Sequence, residues 1–169
     1  MDRTENCFSR GFEPPEAMTI DDVSPALRHI GVAHTPYGTT DDDRQPVVTP
    51  VGVAHTPYED PGDAPHQGFA DDAEATVEVF EPYADGLAGV EDVVRLLVVY
   101  WADAADRESL LGDDGVGAFA RRTPNRPNPL SVCTCTLLER DGRRLRVRGL
   151  DAVDGSPVVD LKPALQSER

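Results

Sequence analysis

Ser131-Val132-Cys133-Thr134-Cys135-Thr136-Leu137-Leu138-Glu139, followed by Arg140-Asp141-Gly142 and then Arg143-Arg144-Leu145-Arg146-Val147-Arg148-Gly149-Leu150, is the stretch on which the fold turns. Two strand-like runs flank an Asp-Gly pair, and Asp-Gly between such runs is a strong hairpin signal. Next come a tight acidic turn, Asp151-Ala152-Val153-Asp154-Gly155-Ser156, and a short strand, Pro157-Val158-Val159-Asp160-Leu161. Upstream, residues 93–101 are an almost unbroken β-branched and aromatic run, which predicts a core strand buried on both faces. Residues 75–80 alternate apolar and polar as a half-buried strand does. Residues 81–90 allow a turn or short helix, and residues 102–111 a short helix that the glycines of 112–117 break. Many short strands with regular turns and little helix predict an all-β barrel or sandwich. No strand leads into a glycine-rich phosphate loop and a helix, which excludes a doubly wound nucleotide fold.

Between the core strand and the hairpin lies Arg121-Arg122-Thr123-Pro124-Asn125-Arg126-Pro127-Asn128-Pro129. Its three prolines fix φ and remove backbone donors, so it is a stiff loop. Its guanidiniums and carboxamides suit anionic oxygens and the edges of a base or cofactor. The chain carries a formal net charge of -15, and residues 47–120 hold 16 acids against two bases. Residues 121–148 reverse this, with eight arginines and two acids for a net +6. Such an island fits a protein that holds an anion, and alternate arginines on a strand fit a solvated hairpin face equally well. Fifteen of the 16 basic residues are Arg, with Lys162 the single lysine, a balance like that of proteins from salt-loving archaea, in which acidity serves solubility.

With 169 residues the chain has room for one domain and a tail. Residues 1–46, rich in Asp, Glu, Pro and Gly, are expected to form a mostly disordered extension, and residues 47–169 the folded domain. The extension holds one unusual piece: Gly31-Val32-Ala33-His34-Thr35-Pro36-Tyr37 recurs unchanged as Gly52-Val53-Ala54-His55-Thr56-Pro57-Tyr58. Only one copy fits one strand position, and the second is assigned to the domain because it runs into strand-and-loop sequence. Cys7, Cys133 and Cys135 suggest no disulfide framework, and no Cys/His set has metal-ligand spacing. With no leader and no long apolar run, the expectation is a soluble cytoplasmic protein with no membrane association.

Taken in order, the motifs resemble the TsaA-like (TrmO) family of tRNA methyltransferases. They are residues 51–58, then Ala64-Pro65-His66-Gln67-Gly68, Val77-Glu78-Val79-Phe80 leading to Tyr83-Ala84-Asp85-Gly86-Leu87, Arg126-Pro127-Asn128-Pro129, and residues 149–163. The resemblance implies a single-sheeted β-barrel with short helical insertions, usually dimeric, that binds S-adenosylmethionine. It further implies methylation of N6 of N6-threonylcarbamoyladenosine beside the tRNA anticodon. By matching motif, Pro65, His66, Gln67, Arg122, Val132, Asp154, Gly155, Ser156 and Pro157 are expected at the cofactor site, and Asp103 is expected beside them. The chain departs from the family pattern at Val94-Arg95, at Trp101-Ala102-Asp103 and at Ser131, and the C-terminal extension of bacterial members is not expected. These departures bear on the acceptor more than on the cofactor.

Methylating N6 requires donor and nucleophile at near-attack distance and a group to accept the leaving proton. Asp154, Asp151 and His55 are the candidates, in that order, although Asp before Gly is also a common turn former and a strand-end His is often structural. Arg126, Asn128, Arg143, Arg144 and Arg146 are candidates for the RNA, with Tyr58 or Trp101 to stack on a splayed base. No metal is expected. A non-catalytic barrel that binds cofactor or RNA, and a methyltransferase for another small acceptor, remain as alternatives.

Overall fold

The computed structural model describes residues 48–165, and its centre is the Asp-Gly hairpin. Strand β4 (Leu130–Asp141) turns through Gly142, at φ 56°, into β5 (Arg144–Arg148). On its other edge β4 pairs with β3 (Arg95–Trp101), and β3 pairs with β6 (Pro157–Pro163). Strand β5 pairs with β2 (Glu74–Val79), and β2 with β1 (Gly52–His55). The sheet closes where β1 meets β6, at Gly52↔Val158 and Val53↔Pro157. The result is a closed, wholly antiparallel six-stranded barrel in the order β1-β2-β5-β4-β3-β6, so of barrel and sandwich the chain forms the barrel.

Alternation along each strand fills the interior. Ala54, Val77, Leu96, Val98, Cys135, Leu145, Val147 and Val158 are each 2 % exposed or less. Cys133 and Cys135, two apart on β4, both face this core as their spacing requires. Donation of the Cys135 S–H to Cys133, and then burial, push the Cys135 thiol well above its ordinary range, which fits a packing role.

Two expectations change in the structure. Strand β3 buries one face fully, whereas Leu97 and Val99 on the other are only half-buried, because a small closed barrel has a single interior. A register shift between Val99 and Tyr100 against β6 then breaks the alternation, so Tyr100 and Trp101 are both buried. Residues 102–111 form turns and no helix. There the Asp106 carboxylate accepts the Glu108 and Ser109 N–H groups at 2.9 and 3.4 Å, and the Asp106 N–H goes to Asn125, a local bonding pattern that competes with helix. Residues 81–90 do form short 3-10 turns, at Glu81–Leu87 and starting again at Val90–Asp92. The first heptapeptide copy and Cys7 lie outside the described residues; the second copy is β1 and its following turn.

Candidate functional site

Because the strands are antiparallel, three connections leave from one end of the barrel: residues 56–73, 102–129 and 149–156. They enclose a cavity of about 600 Å³, a size suited to a small organic ligand. Each connection is held by bonds legible in its residues. In the first, the Thr56 hydroxyl donates to Ala152 O at 2.8 Å, and Tyr58 Oη donates to Asp71 Oδ2 at 2.8 Å. Burial, and then the Asp71 hydrogen bond and charge, push the Tyr58 phenol up to about 12. Gly68 is seated so closely that a Cβ there would lie 1.9 Å from Gly149 O and 2.5 Å from Cys133 Sγ.

In the second connection Arg126 folds the proline-rich loop around itself. Its Nε donates to Thr123 O at 2.9 Å, and its Nη2 to Ala118 O at 3.0 Å and Arg121 O at 2.5 Å. Trp101 is buried, with the Arg107 guanidinium 5.4 Å from its ring centroid.

The third connection supplies the cavity's one tightly held carboxylate. Tyr100 Oη donates to Asp151 Oδ1 at 3.0 Å, and the Gly68 N–H donates to Asp151 Oδ2 at 3.0 Å. Burial first, and then the charge and hydrogen bond of Asp151, push the Tyr100 phenol far above its ordinary range. Tyr100 is therefore a donor throughout the physiological range.

The family model described as the tRNA-methyltransferase O N-terminal domain matches residues 53–167. The chain belongs to this family. Among its relatives in the family, a probable S-adenosyl-L-methionine-binding protein of Halobacterium salinarum is 48% identical over 110 residues, 63% of this chain and 89% of that protein. A longer Archaeoglobus fulgidus protein given the same description is 48% identical over 105 residues, 59% of this chain and 29% of its own length. The tRNA (adenine(37)-N6)-methyltransferase of Escherichia coli is 32% identical over 113 residues, 58% of this chain and 48% of that enzyme. A crystal structure of TrmO from Pseudomonas aeruginosa superposes with a TM-score of 0.64 at 26% identity, covering 76% of this chain and 58% of that one. This chain thus spans about half the length of the bacterial members and most of the short archaeal one.

Of the residues expected at the family's cofactor site, Pro65, His66, Gln67, Asp103, Arg122, Val132 and Ser156 line the cavity, as do Asp151 and Arg126. Asp154, Gly155, Pro157, His55 and Asn128 fall outside its lining. Asp154 instead ties the third connection to the first: its Oδ1 accepts the Thr56 N–H at 3.0 Å, its N–H reaches Tyr58 O at 2.7 Å, and His55 Nδ1 stands 4.0 Å from its Oδ1. Gly155, at φ 79°, makes the turn possible.

Arg143, Arg144 and Arg146 lie on the hairpin, away from the cavity. Arg143 Nη1 donates to Val79 O at 2.7 Å at the far end of β2. Arg144 pairs with Glu78 at 3.2 Å, and Arg146 with Glu74 at 2.9 Å and Glu139 at 2.7 Å. Tyr100 and Ser131 are lining residues that sequence reading placed only in strands. Among the described residues no group of three or more His, Cys, Asp or Glu could hold a metal ion, and no helix is long and apolar enough to cross a membrane.

Proposed function

We infer that this barrel is an S-adenosylmethionine-dependent methyltransferase of the tRNA-methyltransferase O family, and we propose that its acceptor is N6 of N6-threonylcarbamoyladenosine beside the tRNA anticodon. The observation that carries the reading is convergence: residues distant in sequence and assigned to the cofactor by motif meet around one cavity whose wall also bears a fixed carboxylate. The residues fit the cofactor's chemistry. Pro65, Leu130 and Val132 offer apolar surface for a purine, Asp103 a carboxylate for ribose hydroxyls or an ammonium, and Arg122 a cation for a carboxylate. When bound, the cofactor supplies an electrophilic methyl group on a sulfonium.

The chain's own task is to place the acceptor nitrogen and take its proton. Asp151 suits that task better than Asp154, because it lines the cavity and is oriented from two sides, by Tyr100 and by the Gly68 amide. Asp154 and His55 act as supports of the wall. The nearest exposed cation for an anticodon-loop phosphate is Arg122. Support for a tRNA acceptor comes from the family and from the Escherichia coli relative, a tRNA (adenine(37)-N6)-methyltransferase. We further propose a cytosolic homodimer.

The deciding experiment is transfer of label from S-adenosylmethionine, in high-salt buffer, to tRNA with threonylcarbamoyladenosine and to matched tRNA without it. The expected result is label on the modified tRNA alone. Cofactor binding with neither tRNA labelled would replace this reading with another acceptor or a non-catalytic binding barrel.

A further inference from the structure

The barrel uses one heptapeptide that the chain contains twice, and the position it fills makes stringent demands. The first residue must lack a side chain, since a Cβ on Gly52 would lie 2.4 Å from Glu78 O. The third must be small, since Ala54 is fully buried in the core. The fifth must carry a hydroxyl, which Thr56 donates to Ala152 O, and the seventh a phenol, which Tyr58 donates to Asp71. Before the heptapeptide stands β-branched Val51, packed against the core with its N–H donating to Val158 O at 2.7 Å. Residues 30–37 satisfy every demand: Ile30, Gly31, Ala33, Thr35 and Tyr37 stand at the matching places. The position is also the barrel's shortest seam, because β1 registers with β6 only at Gly52↔Val158 and Val53↔Pro157.

We propose that the groove between β2 and β6 is a strand-binding site with two occupants from the same chain, residues 51–58 and residues 30–37, which exchange. The recognition is strand insertion, with main-chain bonds for affinity and the small and hydroxyl positions for specificity. Because the heptapeptides are identical, contacts inside the groove scarcely distinguish them, and the connection to β2 does. Residues 59–73 make a connection of 15 residues, and residues 38–73 one of 36. Closure weight falls with about the 3/2 power of loop length, so the upstream copy is disfavoured about fourfold and holds a minor share. The exchange reaches the cavity, because residues 51–58 carry Thr56 and Tyr58, which fasten the connection bearing Pro65, His66 and Gln67.

The test blocks each copy in the full chain. Gly52→Val closes the groove to the second copy by the 2.4 Å approach to Glu78 O, and Gly31→Val closes it to the first. Expected outcomes are a fall in the folding constant of about fivefold for Gly52→Val, little change for Gly31→Val, and loss of the cooperative melting transition when both are present. If Gly52→Val alone unfolds the chain as completely as the double variant, the upstream copy does not rescue and the proposal is overturned. Ala54→Glu and Ala33→Glu, which bring a charge to the buried third position, form an independent pair to be read the same way. Retention of melting by both double variants would equally overturn it, since the groove would then need neither segment. None of these readouts depends on methyl transfer.

Discussion

Asp151 and Asp154 stand three residues apart in one acidic turn, and their surroundings divide them. Asp154 accepts a backbone N–H across the turn, whereas Asp151 is presented to the cavity by a phenol and an amide. Asp154→Ala is therefore expected to cost about 1–2 kcal/mol of stability, the usual loss when a partly buried donor is orphaned, measured by denaturant unfolding. Asp151→Asn is expected to retain cofactor binding and abolish transfer, and the reverse pattern in the two variants would return Asp154 to the role of base. Tyr100→Phe removes one orienting bond, so kcat should fall about tenfold with cofactor affinity unchanged; an unchanged kcat would show that Gly68 alone suffices. Tyr58 and Tyr100 also set an alkaline limit. Both phenols are raised in the folded state, so native protein binds more protons than unfolded chain above about pH 10. Their contribution is complete below that pH and is lost as pH rises through the folded values, for Tyr58 between about 10 and 12. Unfolding free energy followed from pH 9 to 12 should fall, and a flat profile would contradict the raised values.

At the scale of elements, the strands were the readable part and the long connection was not. The Asp-Gly hairpin, the run at 93–101 and the final strand all appear where alternation and turn residues place them, because each depends on neighbours in sequence. The 102–129 connection escaped because its shape depends on bonds across it, Asp106 to Asn125 and Arg126 to Thr123, Ala118 and Arg121. Tyr100 escaped for a related reason: alternation puts it on the inner face with Leu96 and Val98, but its role rests on a bond to Asp151, a partner that local pattern does not contain. The Arg/Pro stretch is neither helix nor strand, as its prolines require, but the structure turns Arg126 largely inward. Arg126→Ala should therefore lower stability by roughly 2–3 kcal/mol and weaken cofactor binding through the loop's collapse. The arginine island looks different once its partners are present, because Glu74, Glu78 and Glu139 already answer Arg144 and Arg146. Replacing Arg143, Arg144 and Arg146 by Gln should leave the salt slope of tRNA binding nearly unchanged, whereas Arg122→Gln should reduce it by about one. The opposite ranking would make the hairpin the RNA surface.

Over the whole molecule the dominant quantity is the formal net charge of -15 on 169 residues. Self-repulsion of that size opposes compaction, and salt screens it, the Debye length shrinking from about 10 Å at 0.1 M to about 3 Å at 1 M. The hairpin ion pairs pull the other way, since screening weakens them too, but exposed pairs are worth only about 0–1 kcal/mol each. Repulsion summed over the whole chain should outweigh them. The melting temperature is accordingly expected to rise as KCl is increased from 0.1 to about 2 M, with most of the gain in the first molar, where screening changes fastest. A melting temperature that falls with salt would mean that the ion pairs on β2, β4 and β5 govern stability. In that case Glu74→Gln, which strips Arg146 and Arg148 of a shared partner, should lower the low-salt melting temperature and weaken the salt dependence. If repulsion governs, the same substitution removes one negative charge and should raise the low-salt melting temperature, so the sign of its effect at 0.1 M separates the two cases.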